Sequence, residues 1–228
     1  MPVDGRLVRG EATRRAILER ATDVASVEGL EGLSIGRLAA DLELSKSGVF
    51  ALFGSKEELQ LAAIRFAGDI FADNVTRPTL EVEPGIGRLR ALCENWLGYS
   101  ERRIFPGGCF FFHTGAEFDA RPGRVHDAVA EAGTAFSVFI TRTAREAQDI
   151  GELRADIDVS LLAFELHALG QAANADSVLH GGIEPYRLAR AGMRNRVGGA
   201  ASTSRPPMAS VPQGVPAARR WPGSASAG

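Results

Sequence analysis

Apolar positions recur at helical spacing along most of the chain, and the breaks between these runs divide it into helices. From Thr13 to Glu28, Ile17, Ala21, Val24 and Ala25 mark one face of a first helix, which Gly29 and Gly32 are placed to stop. Ser34 can cap a short second helix with Ile35, Leu38, Ala39 and Leu42 on one side, because its hydroxyl can accept from an orphan backbone N–H. After a tight break at Glu43 and Leu44, Ser45 can cap a third helix whose inner face is Val49, Leu52 and Phe53, ended by Gly54. Ser55-Lys56-Glu57-Glu58 then has the form of a capping box, with Ser55 bonding forward and Glu58 reaching back. A longer fourth helix follows, carrying Leu59, Ala62, Ala63, Phe66 and Ile70, and Pro78, Pro84 and Gly85 are expected to end it.

The second half continues in the same manner. Ile86, Leu89, Leu92, Cys93, Trp96 and Leu97 keep helical spacing, and the loop Pro106-Gly107-Gly108 follows. Cys109 to Phe118 is an aromatic cluster that reads as one short buried helix, closed by Asp119-Ala120-Arg121-Pro122-Gly123. Val125 to Ile150 is long and amphipathic, and Asp158 can cap a further helix, Val159 to Leu179, that is apolar around much of its circumference and so needs cover on more than one side. From about Asn195 the pattern gives way to Ser, Pro, Gly, Ala and Arg without acid or periodicity, which reads as a disordered tail over 195–228. So abrupt a change is also what a shifted coding frame would leave. The expected fold is therefore all-α: an N-terminal three-helix unit followed by a helical bundle.

Composition narrows the class. No stretch approaches the roughly 18 to 20 continuous apolar residues of a spanning helix, and MPVDGRLVRG lacks the apolar segment of a signal peptide, so the expectation is a cytoplasmic protein with no membrane partner. Cys93 and Cys109 are too few for a disulfide framework. Cys109 and His113 stand four apart, a spacing that suits two metal ligands, but no further ligand accompanies them; neither a metal nor any other cofactor is expected. The same two residues make a thin case for a Cys-His nucleophile, and no enzyme activity is expected. The net charge of −2 conceals seven arginines and no acid after Glu184. Through Lys56, eight cations are matched by eight acids, so nucleic-acid binding has to rest on a motif rather than on bulk charge.

That motif lies in the second and third helices, whose length, short connection and inner-face pattern are those of a helix-turn-helix, with the third helix as the recognition element. A plain three-helix core would share the inner face. The longer string goes further: Ser34-Ile35-Gly36-Arg37-Leu38-Ala39-Ala40, then Leu44-Ser45-Lys46-Ser47-Gly48-Val49-Phe50, then Phe53-Gly54-Ser55-Lys56-Glu57-Glu58-Leu59 resembles the N-terminal domain of TetR-type transcriptional regulators over about residues 11 to 70. PGGCFF and the EFDARPG turn are similar to one regulatory-domain subgroup of the same family. The resemblance implies a homodimeric repressor, with a DNA-binding domain over 1–56 and a regulatory and dimerisation domain over 57–194. Such a protein grips a pseudo-palindromic double-stranded operator and releases it when a small effector binds.

With Val49, Leu52 and Phe53 inward, Ser47, Gly48, Phe50 and Ala51 face outward, and Ser45 and Lys46 sit at the positive end of the helix, where a phosphate is favoured. The resemblance gives Ser34, Arg37, Lys46 and Lys56 backbone-anchoring roles and the Ser47 to Ala51 face the base-reading one. Phe50 stands where the family usually has a phosphate-bonding tyrosine, and Ala51 where a larger base-contacting group is common. Few direct base contacts and a larger share of shape readout are therefore expected. Trp96, Phe110, Phe111, Phe112, His113 and Glu117 are candidates to line a pocket for a largely apolar effector, or else ordinary core. The family's four-helix dimer interface, carried onto the last two long helices recognised here, implies contacts from Phe136, Phe139, Leu162, Leu166, Leu169 and Ala173. Glu165, His167, Gln171 and Asn174 are placed to bond across the same axis or to remain partly exposed. The rival expectation is a helical small-molecule binder or enzyme that keeps the helix-turn-helix as a relic.

Overall fold

The computed structural model describes residues 5–202, and among these the only β pairing is one isolated bridge between Leu153 and Ala201. Helix α1 (Gly5–Glu28) buries Ile17, Leu18, Ala21, Val24 and Ala25 and stops at Gly29, whose φ of 81° suits glycine. A single 3-10 turn (Leu30–Gly32) leads into α2 (Ile35–Asp41) and α3 (Lys46–Phe53). Ser34 and Ser45 cap these as expected, accepting from the Arg37 and Gly48 N–H groups at 3.1 Å. Between them Glu43 takes φ 55°, and the Leu44 N–H donates to the Ala39 carbonyl at 2.8 Å, which fixes the tight turn.

Helix α4 (Lys56–Phe71) starts at Ser55, which accepts from the Glu58 N–H at 3.1 Å. The reciprocal half of the expected capping box is replaced by a distant partner: the Glu58 carboxylate accepts from Arg124 at 2.7 Å. Pro78 does not break this helix as expected. The backbone widens into a π turn (Ala72–Thr76) and continues as α5 (Arg77–Leu80), with Pro78 in its first turn, where the missing N–H matters least.

The C-terminal half comprises α6 (Ile86–Glu101), α7 (Phe110–Phe118), α8 (Arg124–Asp149), α9 (Val159–His180) and α10 (Glu184–Ala200). Helix α10 corrects the tail boundary at 195. Tyr186, Ala189, Met193, Val197 and Ala200 are all buried and keep helical spacing straight across residue 195. Gly192, Gly198 and Gly199 hid it, since each glycine disfavours a helix by about 1 kcal/mol and burial outweighs that only in the folded bundle. The strand-like segment after α8 clasps the end of this helix: the Arg154 N–H donates to the Ala200 carbonyl at 3.0 Å and the Ser202 N–H to the Glu152 carbonyl at 2.8 Å. The remainder of the expected disordered tail, 203–228, lies outside the described residues.

The side chains expected at a dimer interface mostly face inward in the single chain. Phe136, Phe139, Leu162, Leu166 and Ala173 are buried in the core of their own chain, and Leu169 lies against Gly192 of α10. Because α9 is covered by α6, α8 and α10, its most apolar face is internal. The large apolar side chains left in solvent are others: Phe164 at 70% exposure, Leu179 at 76% and Ile183 at 69%, with Leu161, Val178 and Leu188 nearby in sequence.

A Val197→Asp substitution places a carboxylate where 1% of the side chain is exposed. It should destabilise by about 3 kcal/mol and lower Tm by at least about 6 °C in a thermal melt. An unchanged melt would mean that the helix ends before residue 197.

Candidate functional site

Two features stand out: the outward surface of α3 and a cavity among α4, α6, α7, α8 and α9. On α3, Val49 and Phe53 are buried, whereas Ser45, Lys46, Ser47, Gly48, Phe50 and Ala51 are exposed, so the expected reading face is on the outside. Phe50 is 54% exposed, an apolar ring left in water at the centre of that face.

The side chains expected to anchor phosphates differ in their state. Ser34 and Ser45 are exposed but already serve as caps. Arg37 forms a two-pronged pair with Glu28 and holds that carboxyl below the usual range. Lys56 Nζ donates to the Glu31 carboxylate at 2.9 Å and to the Glu31 carbonyl at 2.7 Å, and the Glu31 carboxyl is likewise held low by it. Lys46 has no ion pair among the described residues and stands free at the start of α3. Exposed pairs of this kind are worth little in water, so exchanging them for a phosphate is inexpensive.

The cavity encloses about 270 Å³. Phe71 at the end of α4, Trp96 on α6, Phe111 and Phe112 on α7 and Phe136 on α8 form aromatic walls, with Phe71 and Phe136 edge to face at 5.0 Å and Trp96 and Phe136 at 4.9 Å. Helix α9 supplies His167, Gly170, Gln171 and Asn174. His167 stacks on Trp96 at 5.5 Å, and its burial pushes the imidazole pKa down, favouring the neutral form. Gly170 is required by close approach: a Cβ there would stand 2.3 Å from the Trp96 ring. Cys109 also lines the cavity, its thiol pKa raised by burial, while Cys93 outside it is pushed up to about 12 for the same reason.

Of the six residues expected in a pocket, Trp96, Phe111 and Phe112 line this one. Phe110 is instead fully buried core, tilted against Phe105 at 5.6 Å, and His113 is not among the residues that line the cavity. Glu117 is turned to the opposite side of α7. Its carboxylate accepts from the Leu30 N–H at 2.7 Å and the Glu31 N–H at 2.9 Å, capping the 3-10 turn of the N-terminal unit. The loop before α7 is tied to the same region, since the Gly107 N–H donates to Ser26 Oγ at 3.0 Å and a Cβ at Gly107 would collide with the Ser26 carbonyl. The polar positions of α9 expected at a dimer axis or partly exposed divide: His167 and Gln171 line the cavity, half-buried, Asn174 lines it from a buried position, and Glu165 pairs with Arg196 of its own chain. Phe71, His167, Gly170, Gln171 and Asn174 were missed as pocket residues because five separate helices meet there. The one signal in the sequence was Gly170, a glycine inside an apolar helical run.

A helix-turn-helix carried on a helical domain with an aromatic cavity has the architecture of a DNA-binding regulator with a ligand-binding domain. Residues 17–63 match the family described as bacterial regulatory proteins, tetR family, and residues 85–193 match the tetracyclin repressor-like C-terminal domain. The chain belongs to the TetR family of transcriptional regulators. Solved structures share the fold. A TetR transcriptional regulator from Chloroflexus aurantiacus superposes with a TM-score of 0.78 at 22% identity, covering 85% of this chain and 98% of that one. One from Cytophaga hutchinsonii gives 0.76 at 21%, covering 86% and 98%. AibR, solved with isovaleryl coenzyme A and operator DNA, gives 0.63 at 21%, covering 81% and 95%. No curated protein is significantly similar to the chain. Among the described residues no helix is long and apolar enough to cross a membrane.

Gly170→Ala should displace the Trp96 ring, lowering Tm by roughly 2 to 6 °C and changing the near-ultraviolet circular dichroism of the single chain. An unaltered spectrum would show that the ring is not held against Gly170.

Proposed function

We propose that the protein is a homodimeric repressor that holds a pseudo-palindromic operator through two copies of α3 and releases it when an effector occupies the aromatic cavity. The observation that carries this reading is the pairing of an exposed α3 face with an enclosed cavity that reaches the same module through α7. In the dimer the exposed apolar groups of α9, α10 and the turn between them, Phe164, Leu179, Ile183 and Leu188, meet their counterparts, which removes them from water. A pseudo-palindromic operator read from one side requires the two recognition helices of that dimer to stand about one DNA turn, roughly 34 Å, apart. AibR, described with both an acyl thioester and DNA, supplies a precedent within the fold for one chain serving both ligands.

The link between ligand and DNA runs through α7. Phe111, Phe112, Gly115 and Phe118 line the cavity on one face, and Glu117 holds the Leu30 and Glu31 amides on the other. The 3-10 turn so held also receives α4, since Lys56 bonds Glu31 and Gln60 Nε2 donates to the Leu30 carbonyl at 2.9 Å. An occupant that shifts α7 or the end of α4 at Phe71 therefore moves the base of the helix-turn-helix. Release follows if it favours a spacing that DNA does not accept.

Gel-shift titration against the DNA upstream of the gene should give a salt-sensitive specific complex. Lys46→Ala should weaken it roughly tenfold and make its salt dependence shallower by about two ions per dimer. A Phe164→Glu, Leu179→Glu double variant should run as a monomer in size-exclusion chromatography and lose most of the affinity. Absence of any specific complex would count against the repressor reading. Glu117→Gln should accelerate hydrogen exchange at the Leu30 and Glu31 amides at least about tenfold and alter DNA affinity without touching α3. Opened amides with unchanged affinity would remove α7 from the switch.

A further inference from the structure

One polar group of the cavity has a direction that hydrogen bonding fixes. Asn174 is 3% exposed, and one end of its amide lies 2.8 Å from the Cys109 backbone nitrogen. A backbone N–H can only donate, so that end is the oxygen, and Ser100 Oγ donates to the same oxygen at 2.7 Å. The Nδ2 is thereby turned away from both, and it has no acceptor among the described residues although Asn174 lines the cavity. A donor that faces a cavity without a protein partner bonds to water or to the acceptor of an occupant, and an occupant that offers no acceptor forfeits that bond. His167 adds to this. Its Nε2 lies 3.4 Å from the Gln171 side-chain amide, and the neutral imidazole carries one ring donor and one ring acceptor beside the cavity.

Charge and shape narrow the occupant further. No lysine or arginine lines the cavity; the one carboxylate of its lining, Asp119, would repel an anion, and His126, which also lines it, has its Nδ1 2.9 Å from the Asp127 carboxylate, which balances any charge the ring carries. Arg103 stands behind Asn174 but donates to the Tyr186 hydroxyl at 3.1 Å and to the Ser177 carbonyl and hydroxyl at 2.8 Å. Arg142 and Arg145 line an open groove along α8 that adjoins the cavity at Ala130, Gly133 and His167, and neither of the two arginines lines the cavity itself. A carboxylate or phosphate entering the cavity would lose its water and gain no unpaired counter-charge. The stacked Trp96 and His167 and the rings of Phe111 and Phe112 instead present flat apolar faces.

Resting on the reading of the cavity as the effector site, we propose that it takes an uncharged planar molecule whose carbonyl-type oxygen accepts from Asn174 Nδ2, and that it rejects anions of the same size. Three bicyclic probes of matched shape test this by calorimetry on the full chain: coumarin, which is neutral with a carbonyl; naphthalene, which lacks an acceptor; and 2-naphthoate, which is anionic. Coumarin should bind roughly tenfold tighter than naphthalene and at least about a hundredfold tighter than 2-naphthoate. Asn174→Asp keeps an oxygen for Cys109 and Ser100 but loses the donor, and it should abolish the advantage of coumarin over naphthalene. If that variant does not fold, the carbonyl stretch of coumarin bound to the unaltered protein still reports the bond, by moving to lower wavenumber than in an apolar solvent. Equal binding of coumarin and naphthalene, binding of 2-naphthoate within tenfold of coumarin, an unshifted carbonyl stretch, or no binding by any probe would each overturn the proposal. DNA release is scored separately: coumarin that binds as described but leaves the DNA complex intact supports the ligand class and counts against the cavity as the switch.

Discussion

The regulatory half is organised around one buried amide. Asn174 on α9 accepts from Ser100 on α6 and from the Cys109 N–H at the start of α7, and Ser100 Oγ lies 2.7 Å from the Tyr186 hydroxyl of α10. Arg103 closes the network by donating to that hydroxyl and to Ser177. Apolar contact alone would let these helices slide, because dispersion and hydrophobic attraction have no direction. Buried hydrogen bonds do, and each that is left unmade in a low-dielectric core costs more than a made one contributes. The network therefore fixes the rotation and height of four elements at once. The cavity beside it is a consequence of that fixed register, with Gly170 admitting the Trp96 ring and the aromatic walls held at set separations.

Helix α7 carries this order to the N-terminal unit. It has only nine residues, so its two faces are rigidly related: one lines the cavity and the other ends in the carboxylate that caps the 3-10 turn. Leu30 and Glu31 present N–H groups that no carbonyl of their own turn can satisfy, and a carboxylate is the strongest acceptor a side chain offers them. The same turn holds Lys56 and Gln60 of α4. Two routes from the cavity, α7 and α4, thus converge on three residues beneath the helix-turn-helix.

On the exposed side the physics is different. The N-terminal unit has no net positive charge through Lys56, and Arg37 and Lys56 begin in pairs with Glu28 and Glu31. These pairs sit at the surface, where solvent screening leaves little to lose when a phosphate replaces the carboxylate. They also hold long side chains in defined positions before any partner arrives.

The sequence by itself determined the helices of the first seventy residues, their serine caps and the outward face of α3, because periodicity and capping are local and repeat within a few positions. Ser34, Ser45 and Ser55 each cap where the sequence placed them. It also determined that α9 needs cover on several sides. Only the tertiary structure decided what provides that cover, and with it the rest. Leu162 and Leu166 went to the core and Phe164 to the surface because α8 and α10 claim opposite flanks of one helix that is apolar all round. Glu117 left the pocket for a partner 87 positions away in the chain, Glu58 exchanged a neighbour for Arg124, and α10 ran on to Ala200 despite its glycines. Each of these outcomes turns on which distant group satisfies a charge or covers an apolar face, and that is set by packing rather than by any local pattern.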